Sequence, residues 1–111
     1  MKNYRVGDQL ENGQGGTGVL GIRLTECRDQ IDRLDEQIIR LLNDRATCAL
    51  QLGALKSHSG IETYQPEREV AVLQHARDTN GGPLGGDAIT RLFERIIDEN
   101  RRLEREAEEK R

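Results

Sequence analysis

Apolar residues recur at alternating spacings of three and four through the first half of the chain, and no proline interrupts them. With the single exception of one arginine, the repeat consists of apolar or thiol side chains: Leu24, Cys27, Ile31, Leu34, Ile38, Leu41, Arg45, Cys48, Leu52 and Leu55. The repeat predicts one long amphipathic helix that ends at Ser57 to Gly60. At ~1.5 Å per residue this helix is roughly 50 Å long. A compact chain of 111 residues is too small to cover it, so we expect a second chain to cover the remainder.

Two shorter helices follow the long one. Pro66 opens the second helix, which continues to about Thr79 and is closed by the segment NGGP. Its inward residues are expected to be Val70, Leu73 and Ala76. The third helix begins at about Asp87, and its seam is Ile89, Phe93, Ile96, Asn100 and Leu103. The sequence therefore predicts an all-α fold with one long, one short and one medium helix.

The first 22 residues differ in composition from the rest of the chain. They contain six glycines among polar residues, a composition that predicts a flexible tail. These glycines do not follow a predicted strand and lack the lysine of a phosphate-binding loop, which argues against a nucleotide site. We therefore divide the chain into a glycine-rich tail, residues 1–22, and one domain, residues 23–111.

Charge and composition argue against several classes of protein. The 17 basic and 20 acidic residues are interspersed and leave a net charge of −3, so a nucleic-acid partner is not expected. There is no apolar run of membrane-spanning length and no signal-peptide pattern, which predicts a cytoplasmic protein without a membrane partner. The two histidines and two cysteines do not have the spacing of metal ligands, so no metal is expected.

Polar side chains interrupt two of the apolar seams. Arg45 occupies a seam position, and a buried guanidinium is costly unless an anion meets it. Lys56 lies roughly 16 Å further along the same face, so both side chains could lean toward one small dianion. Alternatively, Arg45 pairs with a carboxylate from another helix and Lys56 only extends past a helix end. Asn100 interrupts the third helix, with Glu104 as its i+4 neighbour, although asparagine in a seam can also simply set helix register.

Residues 24 to 104 resemble the catalytic domain of AroQ-class chorismate mutases. The resemblance rests on four segments in family order and spacing: RDQIDRLDEQIIRLLNDR, Gly53 with Lys56, PERE, and AITRLFERIIDEN. It implies an isomerase that converts chorismate to prephenate in phenylalanine and tyrosine biosynthesis. The residues fit a free-standing enzyme and one part of a fused aromatic-pathway protein equally well.

The family resemblance also implies an intertwined, antiparallel homodimer with shared active sites. Arg45, helped by Asn100, would hold the ring carboxylate of chorismate. The partner's Arg28 and Lys56 would hold the enolpyruvyl carboxylate. Arg28 and Arg45 are seventeen residues apart in sequence, roughly 25 Å along one helix, which is too far to share a small ligand within one chain.

The remaining implied contacts lie around the reacting atoms and the ring hydroxyl. Lys56 and Glu104 would face the breaking ether oxygen. Glu69 would accept a hydrogen bond from the ring hydroxyl, and Arg68 would support the site, although both are also consistent with ordinary first-turn helix charges. Gln65 stands where the family often has an aspartate that caps the second helix, and we include it among the substrate-binding residues. A pericyclic rearrangement requires no cofactor, metal or nucleophile.

Two other functions fit parts of the pattern. Isochorismate pyruvate lyase shares this fold and a similar cationic pocket, but the sequence resembles it less closely. A catalytically silent dimerisation module would need only the heptad repeat. Such a module has no need for Arg45 in its seam or for Lys56 and Glu104, so these residues favour the enzyme.

Overall fold

The computed structural model describes residues 18–60 and 65–110, which form three α-helices and no strand. Helix α1 spans Gly18–Ser59, α2 spans Pro66–Thr79 and α3 spans Gly86–Lys110. The predicted all-α class and the order of long, short and medium helices are confirmed. The chain divides into two compact units, Met1–Leu41 and Leu42–Arg111, and the division falls within α1. Within the described ranges, no helix is long and apolar enough to cross a membrane.

Helix α1 begins earlier than the apolar repeat indicated. It starts at Gly18, whereas the repeat placed its first residue at Leu24. Val19, Leu20 and Ile22 are compatible with a helix, and the surrounding glycines obscured them in the sequence. The predicted tail otherwise falls on residues 1–17, which lie outside the described residues, and the domain boundary after residue 22 stays a prediction.

The apolar seam of α1 is largely uncovered within one chain. Five of its residues in the first unit are about half exposed: Leu24 42%, Ile31 55%, Leu34 47%, Ile38 52% and Leu41 66%. The seam continues into the second unit with two more exposed leucines, Leu52 and Leu55. Among the described residues, the buried hydrophobic side chains comprise Ala76 alone. Within the described residues, most of the apolar surface that the heptad pattern was expected to bury is therefore exposed.

Helix α2 starts without a side-chain cap. Gln65 has an extended backbone (φ −133°, ψ 90°), and its side chain makes no capping hydrogen bond. Instead its carbonyl oxygen accepts the backbone N–H groups of Arg68 at 3.0 Å and Glu69 at 3.3 Å. Pro66 follows at the first helical position, where a missing N–H costs nothing. The side chain of Gln65 therefore does not cap α2.

The connection from α2 to α3 is organised by Asn80. Its side-chain nitrogen donates to the carbonyl oxygen of Leu84 at 2.7 Å, and its side-chain oxygen accepts the N–H of Gly82 at 3.1 Å. Gly82 has φ +79°, a left-handed conformation that favours glycine. This turn allows α2 and α3 to pack against each other.

The inward face of α2 differs from the predicted one. Ala76 is buried and Leu73 is half-buried as expected, but the prediction for Val70 is wrong because this side chain is 67% exposed. The half-buried apolar residue is Val72 instead. Positions 69, 72, 73 and 76 form one helical stripe, and position 70 lies outside it. On α3, the predicted seam residues are all half-buried.

Candidate active site

An open cavity of about 280 Å³ lies in the second unit, between the C-terminal part of α1, the first turns of α2 and the second half of α3. Its size is near the lower end of ligand sites, typically ~300–1,000 Å³, and suits a small metabolite. Seven of the eight predicted site residues line it: Arg45, Lys56, Gln65, Arg68, Glu69, Asn100 and Glu104. The other residues that line the cavity are Cys48, Ala49, Leu52, Val72, Ile97 and Arg101.

Arg28, the eighth predicted site residue, belongs to the first unit. It is half-buried on α1 and takes part in an interaction there. The cavity itself is built entirely from residues of the second unit. The role of Arg28 in a shared active site therefore stays a prediction.

Arg45 and Asn100 meet across α1 and α3. The guanidinium of Arg45 donates a hydrogen bond to the side-chain oxygen of Asn100, and both residues are half-buried. Within residues 18–60 and 65–110, Arg45 makes no ion pair with a carboxylate, which disfavours the alternative in which a seam carboxylate neutralises it. The amide oxygen orients the guanidinium without cancelling its charge. This arrangement leaves a partly desolvated cation facing the cavity, where an anion would be stabilised.

Lys56 and Glu104 approach the cavity from α1 and α3. Gly53, one turn before Lys56, is buried, and a Cβ atom on it would lie 3.5 Å from Cγ of Glu104. That distance is an ordinary van der Waals contact, so Glu104 packs against α1 at this glycine without requiring it. Beyond the cavity, the hydroxyl of Ser57 donates to a carboxylate oxygen of Glu108 at 3.0 Å. This bond links the ends of the two helices that carry Lys56 and Glu104.

Arg101 lines the cavity but is not among the residues predicted from the sequence. Its guanidinium donates to the carboxylate of Glu69, and its other terminal nitrogen lies 3.7 Å from a carboxylate oxygen of Asp98. In the sequence this arginine looks like part of the charged, solvated end of α3. The sequence did contain an indication that Arg101 lies near the site. Arg101 shares one helical face with Ile97 and Glu104, at positions i, i+4 and i+7.

The cavity has an excess of positive charge. Four cationic side chains, Arg45, Lys56, Arg68 and Arg101, face two carboxylates, Glu69 and Glu104, which gives a formal net charge of +2. Arg101 is paired with Glu69. Lys56 and Arg68 form no ion pair with any residue in the described part of the chain. The electrostatics of the cavity therefore favour a small dianion.

The sequence of this chain is similar to a known family and to proteins from several organisms. Residues 27–105 match the family model for chorismate mutase type II. A bifunctional chorismate mutase/prephenate dehydratase of Neisseria gonorrhoeae is 45% identical over 78 residues, which are 70% of this chain and 21% of that protein. This chain thus spans about a fifth of the length of such bifunctional relatives. A chorismate mutase of Methanocaldococcus jannaschii is 27% identical over 92 residues, which are 76% of this chain and 86% of that protein.

Solved structures agree with the sequence match. The form II structure of chorismate mutase from Thermus thermophilus superposes with a TM-score of 0.72 at 31% identity, covering 75% of this chain and 94% of that chain. The form I structure gives a TM-score of 0.68 at the same identity. The family match contains all four segments that carried the sequence resemblance, together with the whole of α2 and most of α1 and α3. This chain belongs to the chorismate mutase type II family, a family of isomerases, as its sequence motifs predicted.

Proposed function

We propose that the cavity of the second unit converts chorismate to prephenate by a unimolecular Claisen rearrangement. The observation that carries this proposal is the formal net charge of +2 in a cavity of about 280 Å³. Chorismate carries two carboxylates, which this excess of positive charge would stabilise. A rearrangement within one molecule forms no covalent intermediate with the enzyme, so restraint of the substrate and stabilisation of developing charge suffice.

In this proposal the enzyme holds chorismate in its reactive conformation through the two carboxylates of the substrate. Arg45, oriented by Asn100, binds the ring carboxylate, and the partner's Arg28 and Lys56 bind the enolpyruvyl carboxylate. Arginine can make two parallel hydrogen bonds to one carboxylate, which fixes direction as well as position. Holding both ends folds the flexible enolpyruvyl arm over the ring, and the reacting carbon atoms approach each other.

Charge stabilisation is assigned to Lys56 and Glu104. The C–O bond breaks ahead of C–C bond formation, so negative charge grows on the ether oxygen. A fixed ammonium group beside that oxygen stabilises the transition state more than the ground state, which is the condition for a higher kcat. Glu104 adds a hydrogen bond to the same oxygen when its carboxyl group is protonated.

Recognition of the ring hydroxyl of chorismate is assigned to residues at the start of α2. Glu69 accepts a hydrogen bond from it, and Arg68 supports the site. Gln65 lines the same end of the cavity, and its side chain is not used as a helix cap. An amide in this position can donate to the substrate as well as accept from it, whereas an aspartate would only accept.

We further propose that the active enzyme is an antiparallel, intertwined homodimer. The support is the exposed seam of α1, with Ile31, Ile38 and Leu41 each more than half exposed in one chain. Fully burying one such side chain contributes ~1.5–3 kcal/mol, so covering the seam with a second copy would stabilise both chains substantially. The partner would then also supply Arg28. We expect this enzyme to act in the cytoplasm, where both free cysteines remain reduced.

The direct test is to follow the absorbance of chorismate with the purified protein and to confirm prephenate by acid conversion to phenylpyruvate. We expect saturable consumption of chorismate and stoichiometric phenylpyruvate after acid treatment. Isochorismate is assayed in parallel. A protein with full helical circular dichroism that consumes no chorismate, or that only releases salicylate and pyruvate from isochorismate, would contradict the proposal.

Replacing Glu104 with glutamine is expected to retain turnover of chorismate. The amide has a similar shape and donates a hydrogen bond at every pH, so it can still contact the ether oxygen. The measurement is kcat as a function of pH for both proteins. The Gln variant should keep its activity across the pH range. A uniform loss of kcat at every pH in the Gln variant would show that Glu104 is not the donor to the ether oxygen.

A further inference from the structure

We propose that Arg101 is a positioning residue for this reaction, which holds the Glu69 carboxylate in the orientation that accepts the ring hydroxyl of the substrate. The inference rests on the proposed function of the cavity. It adds a residue of α3 to the recognition of the hydroxyl group, which was otherwise assigned to α2 alone.

The first observation is the contact itself. Arg101 and Glu69 are 32 residues apart in sequence and meet across the interface between α2 and α3. Both line the cavity, and their side chains are only 36% and 33% exposed. A partly desolvated, charge-assisted hydrogen bond of this kind is stronger than a surface ion pair. It restricts the rotamers of Glu69, which would otherwise turn toward solvent.

The second observation is that Arg101 lies beside two carboxylates of its own chain. Its guanidinium contacts the carboxylate of Glu69 and also lies 3.7 Å from Asp98. With two carboxylates beside it, its charge is locally neutralised. Arg45, Lys56 and Arg68 have no such carboxylate partner within the described ranges. Arg45 and Lys56 are therefore the better ligands for the substrate's carboxylates, and Arg101 acts through Glu69.

The third observation is the position of Arg101 next to Asn100. Consecutive residues of an α-helix point ~100° apart, so one helix can reach two neighbours from adjacent positions. Asn100 orients Arg45 of α1, and Arg101 orients Glu69 of α2. Helix α3 thus holds one substrate-binding side chain on each of the other two helices.

The test measures kcat/KM for chorismate in Arg101→Met, Arg101→Lys and Arg105→Met. Methionine keeps the length of the side chain but removes its charge, and lysine keeps the charge but loses the planar fork. Arg105 is an exposed arginine on the same helix and does not line the cavity, so it is the matched control. We expect kcat/KM to fall about tenfold in Arg101→Met, less in Arg101→Lys and not at all in the control.

Two further measurements separate positioning from a merely structural role. In a double-mutant cycle, Glu69→Gln combined with Arg101→Met should lose little more than Glu69→Gln alone. With a chorismate analogue that lacks the ring hydroxyl, Arg101→Met should react as fast as the unaltered protein. Additive losses, an equal loss with the analogue, or a normal rate in Arg101→Met would overturn the proposal. Turnover of chorismate by the unaltered protein tests the proposed function independently.

Discussion

Replacing Lys56 with methionine is expected to lower kcat for chorismate by about 10²- to 10³-fold, the usual cost of removing one donor to a developing oxyanion. Methionine has nearly the same length and no charge, so it removes the ammonium group from the ether oxygen while filling the same space. The loss should appear in kcat because the charge on the ether oxygen is present only in the transition state. Steady-state kinetics on chorismate measure the effect.

The control for Lys56 is Lys110→Met, at the exposed end of α3 and outside the cavity. That variant should have normal kinetics. Lys56→Arg should recover only part of the rate, because a guanidinium spreads its charge over a wider fork. If Lys56→Met raised KM and left kcat unchanged, Lys56 would contribute to substrate binding alone, and its assignment to the ether oxygen would be wrong.

Mixing two inactive variants, Arg28→Ala and Lys56→Ala, is expected to restore about a quarter of the activity of the unaltered protein after subunit exchange. In the proposed dimer each active site combines Lys56 of one chain with the partner's Arg28. An equal mixture yields heterodimers in half of the molecules, and each heterodimer contains one intact site and one doubly altered site. The activity is measured after the chains have been unfolded and refolded together.

The matched control is a mixture of Arg45→Ala with Lys56→Ala. Both residues line the same cavity of the same chain, so every site in the heterodimer carries one defect and no recovery is expected. Native mass spectrometry confirms that heterodimers form in both mixtures. Recovery in neither mixture despite exchange would exclude the shared site, and recovery in both would place Arg45 and Lys56 in different sites.

The three helices, the bounds of α2 and part of the candidate site could be predicted from local features of the sequence. The spacing of apolar residues specified three helices, and Pro66 and the NGGP segment marked where α2 begins and ends. Arg45 and Asn100 stood out because each interrupts an apolar seam, and the structure brings these two side chains together. Helical periodicity and helix boundaries depend on residues a few positions apart, so they can be read without knowing the fold.

Other features depended on how the helices pack. Val70 belongs to an apolar pattern, yet the contact between α2 and α3 selects Val72 in its place. Arg101 looked like one of many charges at a solvated helix end until that same contact brought it to Glu69. Its pairing joins residues 32 positions apart, and no local pattern selects one carboxylate among the twenty in the chain. The relative placement of α2 and α3 decided both outcomes, because packing, and not spacing along the chain, determines which side chains share a partly desolvated space.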